Sequence, residues 1–390
     1  MNGNSSRRNF LAAGLALPAA AAASRTGGAP QQPAAAKAAT GAPALQYRIL
    51  GKTGLKVTSV GFGCMVTSDA SVVERAADLG IAYFDTARSY QGGNNERMVG
   101  AALKRKRKDL VLSTKTEAND KAGALAQLDA SLQALQTDWV DIWYLHGKTT
   151  IAAISDGLVD ALQTAKKAGK ARFVGFSAHG GHEQVIPFGA RNPNIDVMLA
   201  TFNYTMAPTV AAAMEEASKA GKGVVAMKVT GGGGGGRGAR GGGGAAARPK
   251  GSQLAAVKWV ARNPFVHTCV PSMTDMDQLD ENIKAMADPF NAEDQKLLAV
   301  TREIIRPDYC NMCGECAGQC RQGLPVEDIL RYAMYADGYW QFALGREHYS
   351  ALGAEHAGVR CGDCPGCTVQ CPHGVQVSAR IARAHELFAC

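Results

Sequence analysis

The chain has 390 residues, 46% of them hydrophobic and 19% charged, a balance that argues against intrinsic disorder and suits one large domain plus one small one. Its 42 basic and 34 acidic residues leave a net charge of +8, but no basic stripe with interleaved aromatics accompanies it, which argues against nucleic-acid binding; "KRKRKD" at Lys104–Asp109 reads as a solvated helix end. Away from the N-terminus, no apolar run reaches transmembrane length, so no transmembrane anchor is expected in the mature chain.

Arg7-Arg8 is followed by Asn9, Phe10 and Leu11, then by the weakly apolar run "LAAGLALPAAAAA". A basic pair, a short apolar run and small residues in that order are the parts of an export leader. Residues 1–23 resemble a twin-arginine signal, with Ser6 to Leu11 matching its motif, and the resemblance implies a periplasmic protein. An alanine-rich tail that happens to hold two arginines is the plainer alternative. Residues 24–44, rich in Ala, Pro, Gly and Gln, read as a linker.

From Tyr47 the pattern changes. "YRILGKTGLKVTSV" reads as a hairpin turning at Gly51 to Gly54. Eight short apolar segments follow, at Val60–Gly63, Ile81–Ala87, Leu110–Lys115, Trp139–His146, Arg172–Ser177, Val197–Tyr204, Gly223–Lys228 and His267–Ser272. Helix-like stretches such as "LVDALQTAKKAGK" separate them. Segments apolar on both faces suit parallel strands covered by helices. Eight of them over about 250 residues predict an α/β fold, a (β/α)8 TIM barrel spanning 45–300. A doubly wound open sheet is the alternative, but it usually has fewer strands. Chemistry in such barrels sits at the C-terminal strand ends. Asp85, Lys115, His146, Ser177, Asn203, Lys228 and Ser272 stand at or near seven of those ends. After the seventh segment comes "GGGGGGRGARGGGG", which reads as a mobile surface loop or as a flap whose Arg237 and Arg240 meet an anion.

"FDTARSY" supplies Asp85 and Tyr90, "STK" supplies Lys115 and "WYLH" supplies His146. In identity, order and strand position these resemble the catalytic tetrad of the aldo-keto reductases, and the opening hairpin is similar to theirs. The resemblance runs from Tyr47 to about Met286. It implies a barrel that interconverts a small-molecule carbonyl and an alcohol with NAD(P). Hydride addition leaves an alkoxide that needs a proton, and Tyr90 is the expected acid–base. Lys115 is expected to lower the tyrosine pKa, Asp85 to hold the lysine, and His146 to orient the carbonyl. On the cofactor side the resemblance places Ser177 and Asn203 toward the nicotinamide amide and Lys228 where relatives carry a stacking aromatic. Ser272, Gln278, Glu281 and Asn282 fall in the adenosine-binding stretch. Ala178 stands where the family has Asn. Ser272 and Gln278 stand where NADP-preferring members have Lys and Arg, so NAD versus NADP is open.

Eight of the 11 cysteines fall in two runs of C-x2-C-x2-C-x3-C: Cys310, Cys313, Cys316 and Cys320, then Cys361, Cys364, Cys367 and Cys371. The runs resemble a two-cluster ferredoxin module over 301–390, mainly α-helical between them. The resemblance implies one [4Fe–4S] cluster on Cys310, Cys313, Cys316 and Cys371, and another on Cys361, Cys364, Cys367 and Cys320. Two zinc sites are the alternative; the x3 step and Pro372 favour iron. Cys64 and Cys269 read as core packing, and Cys390 has no assigned role. Twin-arginine export carries folded, cofactor-loaded proteins, so leader and cysteines agree. The whole reads as an exported carbonyl–alcohol oxidoreductase coupled to iron–sulfur electron transfer. The alternative is a nicotinamide-independent iron–sulfur protein that exchanges electrons with a redox partner protein, its barrel site repurposed or vestigial.

Overall fold

The computed structural model describes residues 45–232, 248–357, 359 and 361–388. The leader at 1–23, the linker at 24–44, Arg237 and Arg240 of the glycine run, and Cys390 lie outside the described residues. The hairpin forms where expected: β1 (Tyr47–Ile49) pairs antiparallel with β2 (Lys56–Thr58), and Gly54 takes the left-handed φ of 72° that turns the chain. Next come β3 (Phe62–Gly63), β4 (Tyr83–Asp85), β5 (Val111–Thr116), β6 (Val140–Leu145), β7 (Ala171–Ala178), β8 (Val197–Thr201), β9 (Gly223–Met227) and β10 (Thr268–Cys269). All eight are parallel, each pairs with the next, and each overlaps the apolar segment that predicted it. Parallel bridges from Val60 to Cys269 and from Gly63 to Ser272 join the last strand to the first, so the sheet closes into a barrel.

Between the strands lie α1 (Ala70–Asp78), α2 (Asn94–Leu103), α3 (Lys121–Leu135), α4 (Asp156–Lys167), α5 (His182–Arg191), α6 (Pro208–Lys219), α7 (Ser252–Ala261) and α8 (Met276–Ala287). Asp69, Asp120, Ser155 and Asp275 cap four of them, each side chain accepting a backbone N–H of the first turn that would otherwise go unpaired. The barrel interior packs Tyr83, Ile142, Tyr144, Leu199 and Val225 together with Leu50, Leu55 and Val57 of the hairpin, so β1 and β2 floor the barrel. Cys64 and Cys269 are fully buried in the layer between strands and helices, the core role expected of them. Lys104, Arg105, Lys108 and Asp109 are exposed on a helical turn that follows α2, as a solvated helix end requires, and Arg107 is the exception. Arg107 of "KRKRKD" is not solvated: it donates to Asp141 Oδ2 at 2.9 Å and to the Trp139 carbonyl, and it stacks on the Trp139 ring. A buried carboxylate needed a partner, and the basic run supplied one.

The C-terminal region adds α9 (Ala292–Ile305), α10 (Val326–Asp337), α11 (Phe342–Ser350), α12 (Ala354–Ala357) and α13 (Val377–Phe388). A capping box of Asn291 and Asp294 starts α9, and Asp294 also pairs with the buried Lys258 of α7 at 2.6 Å, tying the region to the barrel. Ile329, Leu330, Ala333, Ile381 and Ala384 form a core that includes Ala255 and Ala256 of α7. The barrel and these helices form one compact unit. Among the described residues no helix is long and apolar enough to cross a membrane.

Candidate active site

Adjacent parallel strands place Asp85 at the end of β4 beside Lys115 near the end of β5. The two are buried and paired, Lys115 Nζ to Asp85 Oδ2 at 2.6 Å. The other Asp85 oxygen accepts from the Ser113 hydroxyl at 2.6 Å. Lys115 spends its remaining donors on the Thr86 carbonyl at 2.7 Å and on Tyr90 Oη at 3.2 Å. An ammonium has three N–H groups, and each has an acceptor here, so the tyrosine oxygen is fixed in place. The turn carrying Tyr90 needs left-handed backbone at Gln91, Gly92 and Gly93, which the two glycines adopt without strain. His146 follows β6, its ring edge-on to Tyr90 at a centroid distance of 5.9 Å. The predicted tetrad converges.

The electrostatics depart from expectation. Lys115 was expected to lower the Tyr90 pKa, but burial, and then the Asp85 charge, push it well above the usual value. The ammonium charge is already compensated by Asp85, so Tyr90 sits as a neutral phenol able to donate. Burial likewise lowers the His146 pKa, leaving a neutral imidazole. Its Nδ1 lies 3.0 Å from Glu117 Oε1, a close polar contact. Burial raises the Glu117 carboxyl, but His146 and the Ser89 hydroxyl outweigh it and hold the pKa at about 2.

Among the described residues, cavities open from this centre on two sides. One, of about 190 Å³, runs from Asp85 and Tyr90 past Lys228 to Ser272 and Gln278, under Gly338 to Gln341 of the C-terminal region. The other, of about 160 Å³, lies on the His146 side beneath α10. Of the residues expected at the cofactor, Ser272, Gln278 and Lys228 line the first cavity. Gln278 is also bonded to Thr274 and Asp275 on its own helix end. Glu281 and Asn282, further along α8, do not line it. Ser177 is fully buried and accepts from the Gly147 N–H. Asn203 is committed as well: its amide donates to the Lys228 carbonyl and to Tyr309 Oη, both at 3.0 Å, and its oxygen accepts from Thr205. Its expected nicotinamide contact is thus taken by a tyrosine of the C-terminal region. Lys228 adopts φ 56° and sets its ammonium 4.2 Å from the Tyr339 ring and 5.1 Å from the Tyr335 ring. Burial, then the charges of Lys115 and Arg331, push its pKa down to about 7.

Burial pushes the Cys310 thiol up to about 12, and its electrostatic neighbours are Cys316, Cys313 and Cys371. Those of Cys361, also raised first by burial, are Cys367, Cys320 and Cys364. Among the described residues no three Cys, His, Asp or Glu side chains converge on a point for a single metal ion. The first run packs against the barrel: a Cβ on Gly180 would come within 2.4 Å of the Met312 carbonyl oxygen.

Residues 65–240 match the Aldo/keto reductase family. That segment holds Asp85, Tyr90, Lys115 and His146. The chain is 33% identical over 151 residues to "Uncharacterized oxidoreductase YqkF" of Bacillus subtilis, covering 34% of this chain and 49% of that protein. It is 36% identical over 154 residues to L-galactose dehydrogenase of Arabidopsis thaliana, covering 34% and 48%. The chain therefore spans about half the length of these curated relatives. Aldo-keto reductase AKR11C1 of Bacillus halodurans, in its holo form, superposes with a TM-score of 0.56 at 25% identity, covering 66% of this chain and 96% of that one. The barrel of that structure is thus covered nearly whole by this chain.

Several side chains at this centre were not singled out from sequence. Glu117 lies two residues beyond Lys115 and His179 two beyond Ser177, so strand position was an available signal. Arg331 and Tyr335 carried no such signal, being on a helix far along the chain.

Proposed function

We propose that this chain is an oxidoreductase of aldo-keto reductase type that interconverts a small-molecule carbonyl and an alcohol. The observation that carries the reading is the buried chain Asp85–Lys115–Tyr90, with His146 facing Tyr90 across the cavity floor. In the reducing direction Tyr90 gives its proton to the substrate oxygen as charge develops, and Lys115 stabilises the phenolate that remains. His146, neutral through burial, orients the same oxygen by hydrogen bonding. When bound, a nicotinamide would supply the hydride to the carbonyl carbon. Asp85, Tyr90 and Lys228, with Ser272 and Gln278 of the adenosine-binding stretch, line the cavity read as the NAD(P) site, with NAD versus NADP left open.

The C-terminal region is read as carrying two [4Fe–4S] clusters on the two crossed foursomes, which supply one-electron transfer to a redox partner. The leader is read as directing twin-arginine export to the periplasm. Prediction: Cys371→Ser destroys the cluster of the Cys310 run and spares that of its own run, so iron per chain falls by about half. Loss of iron confined to the Cys361, Cys364 and Cys367 site would overturn the crossing.

A second reading, a nicotinamide-independent iron–sulfur redox protein, is favoured by the committed Ser177 and Asn203 and by the size of the cavity. At about 190 Å³ it lies below the ~300 Å³ where pockets for drug-sized ligands begin. Anaerobic titration of the cluster-loaded protein with NADH and NADPH separates the two. Saturable binding, or nucleotide released on denaturation, supports the first reading. Cluster-dependent turnover with neither supports the second.

A further inference from the structure

The cavity on the His146 side is roofed by the C-terminal region, and its charge is lopsided. Arg331 and Lys228 face it together with His146 and His179, whereas its carboxylate, Glu117, is already held by His146 and Ser89. Lys228 meets the Met65 sulfur and two tyrosine faces, and no carboxylate is paired with it among the described residues. Arg331 has a partner, Asp328 at 2.8 Å, but that carboxylate is 38% exposed and shared with solvent. The Arg331 Nε is buried with no hydrogen-bond partner among the described residues. His179 is 5% exposed, and its Nδ1 is likewise without a partner. Unsatisfied buried polar atoms beside a guanidinium and an ammonium cost stability unless a ligand completes them.

We infer that this cavity takes a substrate with a carboxylate beside its carbonyl, a small 2-oxo acid or the matching 2-hydroxy acid, and that Arg331 recognises the carboxylate. The inference rests on the reading of Tyr90 and His146 as the groups that handle the carbonyl. A planar guanidinium matches a planar carboxylate, and His179 can take up a second polar contact. A volume of about 160 Å³ suits an acid of a few carbons and is well below the ~300 Å³ of pockets for drug-sized ligands. Lys228 reinforces the same preference: its pKa is pushed down partly by Arg331 and Lys115, and an anion between them would restore its charge. The specificity group thus comes from α10, between the two cysteine runs, so the C-terminal region completes the pocket of the barrel.

The test uses the full-length, cluster-loaded protein and matched pairs of near-equal shape: glyoxylate against methylglyoxal, and pyruvate against butane-2,3-dione. The wild type is expected to favour each acid in kcat/KM. Arg331→Gln should raise KM for the acids about tenfold to a hundredfold more than for their neutral partners, and Arg331→Lys should recover part of the loss. Equal shifts within each pair, or no shift, would overturn the inference while leaving the carbonyl reading intact. Calorimetric titration with pyruvate alone reads the subsite independently of turnover. If none of the four compounds turns over yet pyruvate binds the wild type and binds Arg331→Gln at least tenfold more weakly, the carbonyl reading fails and the anion subsite stands. Equal affinities, or no binding to either protein, sink the subsite.

Discussion

Replacing Tyr90 with Phe is expected to lower carbonyl turnover by about 10²- to 10⁴-fold, the range over which a positioned general acid contributes. The substitution removes one oxygen and little else. Tyr90 is 8% exposed, and its ring packs edge-on to His146, a contact that Phe keeps. What changes is the terminus of the proton chain: Lys115 Nζ loses an acceptor 3.2 Å away while keeping Asp85 and the Thr86 carbonyl. Leaving one buried donor unmet costs about 1–3 kcal/mol, so the melting temperature should fall by several degrees without loss of the fold. The measurement pairs a circular-dichroism melt with the initial rate of NAD(P)H consumption. A folded variant with turnover within twofold of wild type would mean that another group supplies the proton. Because burial holds the Tyr90 pKa above its ordinary value, the loss should be seen in the reducing direction across neutral and mildly alkaline pH.

The strands were legible because a barrel strand buried on both sides leaves an uninterrupted apolar run, and residues such as Asp85, Lys115 and His146 mark where each run meets the mouth. Closure was legible as a consequence of the eight-strand count, but not which residues make it: the bridges Val60 to Cys269 and Gly63 to Ser272 join residues with no sequence relation. The side chains of Ser177 and Asn203 were placed on the right strand ends, yet which way a buried amide is satisfied depends on what packs above it. Tyr309 claims Asn203, and that contact crosses about a hundred residues of chain. A still longer separation hid Arg331, which shares a cavity with Tyr90 only because α10 folds back over the barrel. The sign of the Tyr90 shift was missed for a related reason. Sequence motifs reveal a nearby lysine, but not how completely burial and a paired aspartate cancel its charge.

The same cancellation makes Asp85 the position where a single substitution should be most costly to stability. Both partners of the Asp85–Lys115 pair have side chains no more than 5% exposed. Asp85→Asn keeps the volume and the bond to Ser113 but leaves the Lys115 ammonium buried without its counter-charge. Breaking a buried pair from one side costs about 3–5 kcal/mol, because the remaining charge has lost both water and partner. Removing both charges is different in kind. Asp85→Leu with Lys115→Met replaces the pair by apolar groups of similar volume, and buried pairs replaced in this way are often neutral in stability. Denaturant melts of the wild type, Asp85→Leu, Lys115→Met and the double variant close the cycle. The double variant is expected to lie closer to wild type than Asp85→Leu does, a coupling that independent sites would not show. Its turnover should nevertheless remain as low as that of Tyr90→Phe, since the phenolate formed on Tyr90 would have no ammonium beside it. A double variant both as unstable as the single one and fully active would show that the pair serves neither the fold nor the proton. Recovered stability with lost turnover is the signature of a charge pair kept for chemistry.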